Sequence, residues 1–342
     1  VSSRLTVNLG LRWDYETPNY ERFDRMVRGL DTTVASPIAA QVQGFAAKGA
    51  VLFAGLEGQP RYGFNSDKNN FQPRIGAAYR IGDKWVLRGG YGLYFLGQNE
   101  NGSTAGFSRA TAVINSVDGY LPAVDMTNPF ANYAGGKLLA PIGNSRGTSS
   151  FLGEGMQSLY FNRPLPYSHQ YSIDIQRALP GDLMLEFGYV GNSTKNVPLN
   201  LAANYVPADQ LGRRNASGAI DTAYYQAQVP NPFAGLIPNN ATLNAATVQR
   251  QILMYAYPQF NGVNMNSVPI GGNRYHAFQT KFSKRYSHGL TLVGSYSIMK
   301  NLETMNIRSP QDFVQSDPSL TQLEKRSAKE IDIPQKFAVT AV

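Results

Sequence analysis

Apolar and polar residues alternate with a period of two along much of the chain, which predicts β-strands. Between Phe71 and Ile81 the apolar residues occupy odd-numbered positions, whereas Arg74 and Arg80 fall on even-numbered ones. After a short turn the same alternation runs from Trp85 to Phe95, with Arg88 on the polar side. Because successive side chains point to opposite faces of a strand, each predicted strand has one apolar face and one polar face.

The same alternation returns at six further places along the chain. From Arg4 to Tyr15 the odd-numbered positions are apolar, and Arg12 lies on the opposite, polar face. The other segments are Tyr167–Gln176, Leu183–Tyr189, His276–Ser283, Leu290–Ile298 and a last strand that begins near Gln335. The pattern therefore predicts about eight strands of roughly ten residues, the length with which a tilted strand crosses a bilayer.

The connections between the predicted strands alternate between tight turns and long segments. The tight turns lie at residues 80–85, 177–183 and 284–290, whereas the long segments cover 16–70, 96–166, 191–274 and 300–334. Loops of several tens of residues are uncommon in compact soluble domains. Outer-membrane barrels, in contrast, combine short periplasmic turns with long extracellular loops.

Aromatic residues cluster at both ends of the predicted strands, as the girdles of a membrane barrel do. Near the long segments lie Trp13, Tyr15, Phe71, Phe95, Tyr167 and Tyr189, and near the tight turns lie Tyr79, Trp85 and Phe282. The sequence thus predicts an all-β fold, an antiparallel transmembrane β-barrel with long extracellular loops. Its apolar faces meet lipid and its polar faces line the lumen.

The arginines of these strands are predicted to face the lumen, because an arginine facing acyl chains at mid-depth costs about 2–4 kcal/mol. The candidate ligand-binding residues are Arg12, Arg74, Arg80 and Arg88. A surplus of guanidinium groups in a channel favours anionic or carboxylate-bearing solutes. Alternatively, the arginines pair with Asp14, Asp174, Glu186 or residues of a plug inside the barrel, and hold the lumen together.

A soluble β-sandwich or β-propeller is the alternative fold, since either also has one apolar and one polar face on each strand. A propeller repeats its blades every ~40–50 residues, and the chain has no such repeat. The alternation between tight turns and long segments, together with the two aromatic girdles, favours the membrane barrel.

Composition excludes several classes of chemistry. The 342 residues include no cysteine, which excludes disulfides, Cys-ligated metals and thiol catalysis. The net charge of +8 is spread along the chain without charge runs, so no nucleic-acid partner is predicted. No uncharged stretch is apolar enough for a transmembrane helix. Both ends fall within strand-like alternation, and we expect the chain to be a piece of a longer protein.

No catalytic, cofactor or metal site is predicted. The segment Gly143–Gly147 fits the G-x-S-x-G pattern, but a nucleophile elbow requires a strand before it and a helix after it, and neither is predicted here. The histidines, His169, His276 and His288, are far apart in sequence and form no metal-binding pair. We therefore expect that the protein is not an enzyme.

Several of the predicted strands resemble those of a known family. The segments NNFQPRIGAAYRIGDKWVLRGGYGLYF, PYSHQYSIDIQRALPGDLMLEFGYVGN and YHAFQTKFSKRYSHGLTLVGSYSIMKNLE, together with RLTVNLGLRWDY and IDIPQKFAVTAV, carry the resemblance. They resemble barrel strands of TonB-dependent outer-membrane receptors, most of all the Oar-like group. The resemblance covers essentially every predicted strand but few loop residues, and the order of the segments is its specific part.

The resemblance implies that residues 1–342 are a partial barrel domain from a barrel of about 22 strands. It also implies that the plug domain, the TonB box and both barrel ends lie outside these residues. It implies TonB-coupled import of a solute across the bacterial outer membrane. The implied partners are outer-membrane lipid, the TonB complex and an unidentified siderophore, oligosaccharide or peptide. A passive porin, or an adhesion or scaffold barrel, is the alternative, and the loops either bind ligand or are solvated surface.

Overall fold

The architecture comes from a computed structural model that describes residues 2–97, 106–107, 115–131, 140–287, 289–304, 325–327 and 333–342. The strands are β1 (Leu5–Asp14), β2 (Val27–Ala35), β3 (Lys48–Phe53), β4 (Asn70–Ile81), β5 (Trp85–Phe95), β6 (Met156–Leu159), β7 (Tyr167–Leu179), β8 (Leu183–Ala202), β9 (Gln228–Pro230), β10 (Thr247–Gln249), β11 (Val263–Ser287), β12 (Leu290–Thr304), β13 (Lys325–Ser327) and β14 (Gln335–Ala341). The short α-helices are α1 (Thr222–Gln226), α2 (Ala241–Asn244) and α3 (Arg250–Leu253). Single turns of 3-10 helix occur at Ala39–Gln41, Gly147–Ser149 and Ala208–Gln210.

Eight long strands form one antiparallel sheet in chain order, β1-β4-β5-β7-β8-β11-β12, with β14 also paired to β12. They correspond to the eight strands predicted from alternation, and the all-β antiparallel prediction is confirmed. Three tight turns join β4 to β5, β7 to β8 and β11 to β12. Gly82, Gly181 and Gly289 occupy those turns with positive φ, a conformation that glycine adopts without steric cost.

The register aligns the apolar positions of neighbouring strands into rows across one face of the sheet. Leu9 pairs with Ile75, and Ile75 pairs in turn with Tyr91. Leu9 is 77% exposed and Ile173 is 54% exposed, although both are large aliphatic side chains. Water would penalise such a surface, whereas acyl chains would solvate it. This face therefore has the composition of a lipid-facing surface.

Two strands are longer than the sequence pattern predicted. β8 has 20 residues and β11 has 25, so they continue together as a ribbon beyond the predicted loop boundary at residue 191. Three register shifts between Met265 and Asn273 interrupt the ribbon, and Asn196 and Ser267 adopt positive φ in it. Because each β-bulge moves the following side chains to the other face, the ribbon has no period-two signature.

The hydrophobic core lies in the long loops and not in the sheet. Residues 20–64, 140–166 and 203–262 pack together into a unit that we call the cap. Its buried apolar side chains come from all three segments: Val27, Leu30, Ile38, Val42, Ala47, Val51, Phe53, Leu152, Met156, Phe233, Ile237, Leu243, Val248, Phe260 and Val263, the last at the start of β11. A shared core of this kind holds the loops in a defined structure in water.

Backbone and amide hydrogen bonds connect the three segments of the cap. Gln259 Nε2 donates to the Lys48 carbonyl at 2.6 Å, and Asn240 Nδ2 donates to the Gly153 carbonyl at 2.8 Å. β6 pairs in parallel with the first residues of β11. Parallel pairing between segments so far apart in sequence gives the cap a non-local connection that no turn signal in the sequence announces.

Arg28 is a buried cation within the cap. Its Nη1 donates to Gln59 Oε1 at 2.9 Å, its Nε donates to the Tyr62 carbonyl at 3.2 Å, and its guanidinium carbon lies 4.2 Å from the centre of the Phe161 ring. Burial lowers the pKa of Arg28 because the charged form loses hydration. The side chain thereby ties the first two loops together through its donors and its stacking surface.

The assignment of faces predicts opposite results for the same substitution at adjacent residues of β7. Ile173→Arg should impair assembly, because it places a guanidinium among acyl chains at a cost of about 2–4 kcal/mol. Ser172→Arg is the matched control, since Ser172 pairs with Gly90 and Val190 on the polar face. Heat-modifiable mobility after outer-membrane expression measures the folded fraction. Equal impairment by both changes would contradict the assignment of faces.

The shared core predicts that truncation of one core side chain destabilises all three loops of the cap. Phe233 is 1% exposed and packs edge-on against Phe45, so Phe233→Ala should destabilise the cap by about 3–5 kcal/mol. Hydrogen exchange should then accelerate in residues 20–64, 140–166 and 203–262, while heat-modifiable mobility stays unchanged. Tyr120→Ala is the control, because Tyr120 is 92% exposed. Acceleration confined to residues 203–262 would show that the loops do not act as one unit.

Candidate functional site on the polar face of the sheet

The four arginines singled out from the sequence all lie on the polar face of the sheet. In the register Arg12 pairs with Gln72, Arg74 with Gly10 and Gly92, Arg80 with Val86, and Arg88 with Ala78 and Asp174. All four side chains are exposed on this face. Alternation therefore predicted their common side, but it did not show which of the acidic residues proposed as partners each arginine meets.

Two of the arginines are paired with carboxylates. Arg12 Nε lies 2.7 Å from Asp14 Oδ1, and the other oxygen of Asp14 accepts a hydrogen bond from Gln72 Nε2 at 2.5 Å. Arg88 Nη1 lies 3.1 Å from Asp174 Oδ1, and its Nη2 donates to Gln176 Oε1 at 2.7 Å. The Arg88–Asp174 pair connects β5 to β7, whereas Arg12 and Asp14 both lie on β1 and Gln72 links their pair to β4. Their geometry matches the alternative in which the arginines hold the wall together.

Arg74 has a different environment. Its guanidinium carbon lies 4.5 Å from the centre of the Tyr94 ring, a cation–π contact. The Tyr94 ring in turn lies over Gly92, where an added Cβ would come within 2.6 Å of the ring. Gly92 is therefore required for this stack. Arg80 lies near the tight turn at the opposite end of β4, where its backbone N–H donates to the Arg4 carbonyl at 2.8 Å.

Glycines on neighbouring strands leave a depression of about 680 Å³ on the polar face, which we call the cradle. Its floor consists of Gly10 on β1, Gly76 on β4, and Gly90 and Gly92 on β5. Polar and aromatic side chains surround it: Asn8, Arg74, Tyr94, Gln170, Ser172, Asn192 and Tyr275. The cradle combines one cation, several amide groups and two phenols, so it can donate many hydrogen bonds and stack on planar groups.

A second depression, of about 420 Å³, lies on the same face nearer the tight turns. Asp174, Glu186 and Lys281 line it together with serines and Gln279. Lys281 pairs in register with Glu186, which also lies opposite Gln176. The polar face therefore carries both signs of charge in this region, whereas the cradle contributes only a guanidinium.

The candidates weighed as catalytic or metal residues have structural partners of their own. Ser145 lies in a turn, and its Oγ donates to the Ile142 carbonyl at 2.7 Å. His169 Nδ1 is 2.7 Å from the Tyr91 hydroxyl, and His276 Nδ1 is 2.7 Å from the Tyr189 hydroxyl. Both pairs lie on the apolar face. His288 lies outside the described residues.

The cradle was not predicted from the sequence, because it forms where glycines leave the polar face without side chains. The signal was present as glycines at polar-face positions of three adjacent strands, at 10, 76, 90 and 92. Their meaning depends on the register, which places Gly76 directly opposite Gly90 and Gly10 opposite Arg74. Alternation gives the face of a residue but not its neighbour across the sheet.

No helix in the described ranges is long and apolar enough to span a membrane. Among curated proteins, no sequence matches the chain. Solved structures similar to the chain include the outer membrane transporter YddB from Escherichia coli, with 9% identity and a TM-score of 0.38 over 81% of this chain and 26% of that chain. The alcaligin outer membrane receptor FauA from Bordetella pertussis has 13% identity and a TM-score of 0.34 over 100% of this chain and 32% of that chain. The FpvAI–pyocin S2 complex has 10% identity and a TM-score of 0.31 over 86% of this chain and 22% of that chain. The chain thus spans about a fifth to a third of the length of these proteins.

One family accounts for the whole chain. The match is to the outer membrane beta barrel domain and extends over residues 1–342. It agrees with the antiparallel meander, the exposed apolar face and the alternation of tight turns with long loops. The chain therefore belongs to the outer membrane beta barrel domain family, and its place is the bacterial outer membrane.

Proposed function

We propose that this chain forms part of the wall and the extracellular cap of an outer-membrane receptor that captures a solute and imports it by TonB-coupled transport. The observation that carries the proposal is the cap itself, in which three long loops share one hydrophobic core. A receptor has to present an ordered surface to its ligand. An ordered cap lowers the entropic cost of binding, because the loops are already fixed before the ligand arrives.

The glycine floor of the polar face is a second support. The interior of an eight-stranded barrel is just wide enough for side chains to fill, whereas barrels of about 22 strands enclose a plugged lumen. On this wall the cradle leaves about 680 Å³ unfilled by the wall's own side chains. We propose that a plug domain or the transported solute occupies this space in the assembled protein, as in the TonB-dependent receptors of the Oar-like group that the strands resemble.

Arg74 is the arginine that we propose for contact with the solute. It lies in the cradle with Tyr94, Gln170 and Asn192, whereas Arg12 and Arg88 are engaged by Asp14 and Asp174. A guanidinium beside amides and phenols favours a solute with a carboxylate and a planar or hydroxylated body. This is a binding role, and we propose no catalytic step, cofactor or metal for the chain.

A passive porin, or an adhesion barrel, is the alternative function. An adhesion barrel would use its outer loops as the contact surface. The exposed apolar side chains of Tyr120, Leu121 and Met126, in residues 115–131 outside the cap, favour this second candidate. A porin would leave the lumen open to diffusion. Transport measurements separate these possibilities, because only an energy-coupled importer depends on the inner membrane.

Dependence on TonB tests the proposed function. The full-length protein should be expressed in hosts with and without TonB, and cells supplied in turn with ferric siderophores, oligosaccharides or peptides. We expect import of one solute class that disappears without TonB, because diffusion cannot pass a plugged lumen. Liposome swelling by the purified protein should show no passive permeation. Free permeation of small solutes would favour the porin, and binding to cells without any import would favour adhesion.

Two adjacent glycines test the role of the cradle. Gly90→Leu should fill the cradle and compete with the group that occupies it. We expect import of that solute to fall by about tenfold, because overpacking a filled site costs about 1–3 kcal/mol and about 1.4 kcal/mol corresponds to a factor of ten. Gly89→Leu is the matched control, since Gly89 pairs with Ala77 and Ile173 on the apolar face, where lipid tolerates leucine. An added Cβ has ordinary contacts at either position, nearest at 3.7 Å for Gly90 and 3.6 Å for Gly89. Equal import by the two variants would remove the cradle from the transport route.

A further inference from the structure

Basic side chains occupy the cap end of the lipid-facing surface of β8, β11 and β12. Lys195 pairs with Tyr167, Arg274 pairs with Ser193 and Leu302, and Lys300 pairs with His276, so all three belong to the apolar face by register. All three side chains are exposed. We call this group the outer basic patch. A cation on this face requires a polar or anionic partner, because lipid solvates it poorly.

The depth of the patch places it at the outer headgroups. β7, β8, β11 and β12 run between tight turns at one end and the cap at the other. Arg274 and Lys300 each lie about ten residues from the tight turn that joins β11 to β12, and a tilted strand crosses the hydrocarbon in about 9–11 residues. The patch thus lies one membrane crossing away from the inner turns, at the level where phosphate groups of outer-leaflet lipids are found.

The charge on this surface has one sign. The lipid-facing positions of β7, β8, β11 and β12 that the structure describes, between Tyr167 and Leu302, include no aspartate or glutamate. Lys300 already interacts with another group of the chain, so Lys195 and Arg274 are the two cations of the patch that would meet a ligand. These two line a concavity of about 270 Å³ with Ser193 and Asn196. Asn273 and Glu303, which pair with each other on the opposite face, also line it, so two cations and one carboxylate surround this space.

Hydrogen-bond donors lie beside the patch and an apolar row lies below it, as the headgroup and the acyl chains of a lipid would require. When the Tyr189 phenol donates to His276 Nδ1, the proton of the neutral histidine is on Nε2, which is then a further donor. His169 and Tyr91 form the same contact between β7 and β5. Immediately below, Tyr189, Phe278 and Ile298 form an apolar row across three strands. A headgroup at the patch would therefore continue into acyl chains over this row.

We propose that the outer basic patch binds a phosphate-bearing lipid of the outer leaflet. Lys195 and Arg274 neutralise the phosphate, the concavity between them receives it, and the apolar row carries the acyl chains. Charge complementarity selects the phosphate, since each basic side chain near an anionic surface is attracted to it. The lipid-facing position selects a lipid rather than free phosphate. Such a lipid would seal the outer end of the wall next to the cap.

The test compares two double variants of the full-length protein that each remove two cations from the same face. Lys195→Gln/Arg274→Gln removes the outer pair, and Arg177→Gln/Lys284→Gln removes the pair at the inner end. Delipidated protein in dodecyl maltoside is titrated with diphosphoryl lipid A and followed by native mass spectrometry. We expect about twenty-five-fold weaker binding for the outer variant, roughly fivefold for each cation, and no change for the inner one. Heat-modifiable mobility verifies that both variants are folded.

Parallel ligands distinguish the possible sources of the phosphate. Lipid A without phosphate should bind at least about tenfold more weakly than the diphosphoryl form, and inorganic phosphate should not compete. Competition by inorganic phosphate would indicate a free-anion site, and equal weakening in the inner and outer variants would indicate general electrostatic attraction; either result overturns the proposal. If the outer double variant does not fold, each single change, Lys195→Gln or Arg274→Gln, is expected to weaken binding about fivefold, and unchanged binding in both overturns the proposal.

Discussion

Backbone hydrogen bonding in hydrocarbon is the constraint on which the rest of this structure depends. An N–H or C=O group without a partner in lipid costs several kcal/mol, so every strand that crosses must pair along its full crossing length. The meander satisfies this requirement with the simplest possible order, in which β4, β5, β7, β8, β11 and β12 each lie between two sequential neighbours. Side-chain chemistry is then free to differ between the faces. One face carries aliphatic and aromatic rows with cations near their two ends, and the other carries glycines, amides and ion pairs.

Much of this architecture could be predicted from sequence, because a strand between lipid and lumen needs apolar side chains on one face and tolerates polar ones on the other. The sequence of such a strand therefore alternates with a period of two. Phe71–Ile81 and Trp85–Phe95 follow the period-two pattern at most positions, and the structure assigns β4 and β5 to Asn70–Ile81 and Trp85–Phe95. The signal fails where the membrane no longer imposes it. The ribbon of β8 and β11 above residue 191 contains three register shifts, and its outer part follows no period because water can satisfy its irregular backbone. The β2–β3 hairpin was missed for the same reason.

The candidate site shows a different limit of sequence reasoning. Alternation placed Arg12, Arg74, Arg80 and Arg88 on one face, and the structure separates their environments by their neighbours. Asp14 follows Arg12 by two residues, so that pair was visible in the sequence. Asp174 meets Arg88 only through the pairing of β5 with β7, and Tyr94 covers Gly92 only because glycine leaves room for the ring. Such contacts depend on register and packing, which a single strand does not encode.

The shared core of the cap also constrains how this protein can change during evolution. Surface loops of a barrel usually diversify one at a time, since each is anchored only at its own two ends. Here Val51, Met156 and Phe233 come from three different loops and fill one interior. A volume change in any of them has to be compensated in the other two, so the loops must diversify together, and exchange of a single loop between relatives would carry a packing mismatch. Residues 115–131 contribute no side chain to that core, so this stretch can change without repacking the three loops.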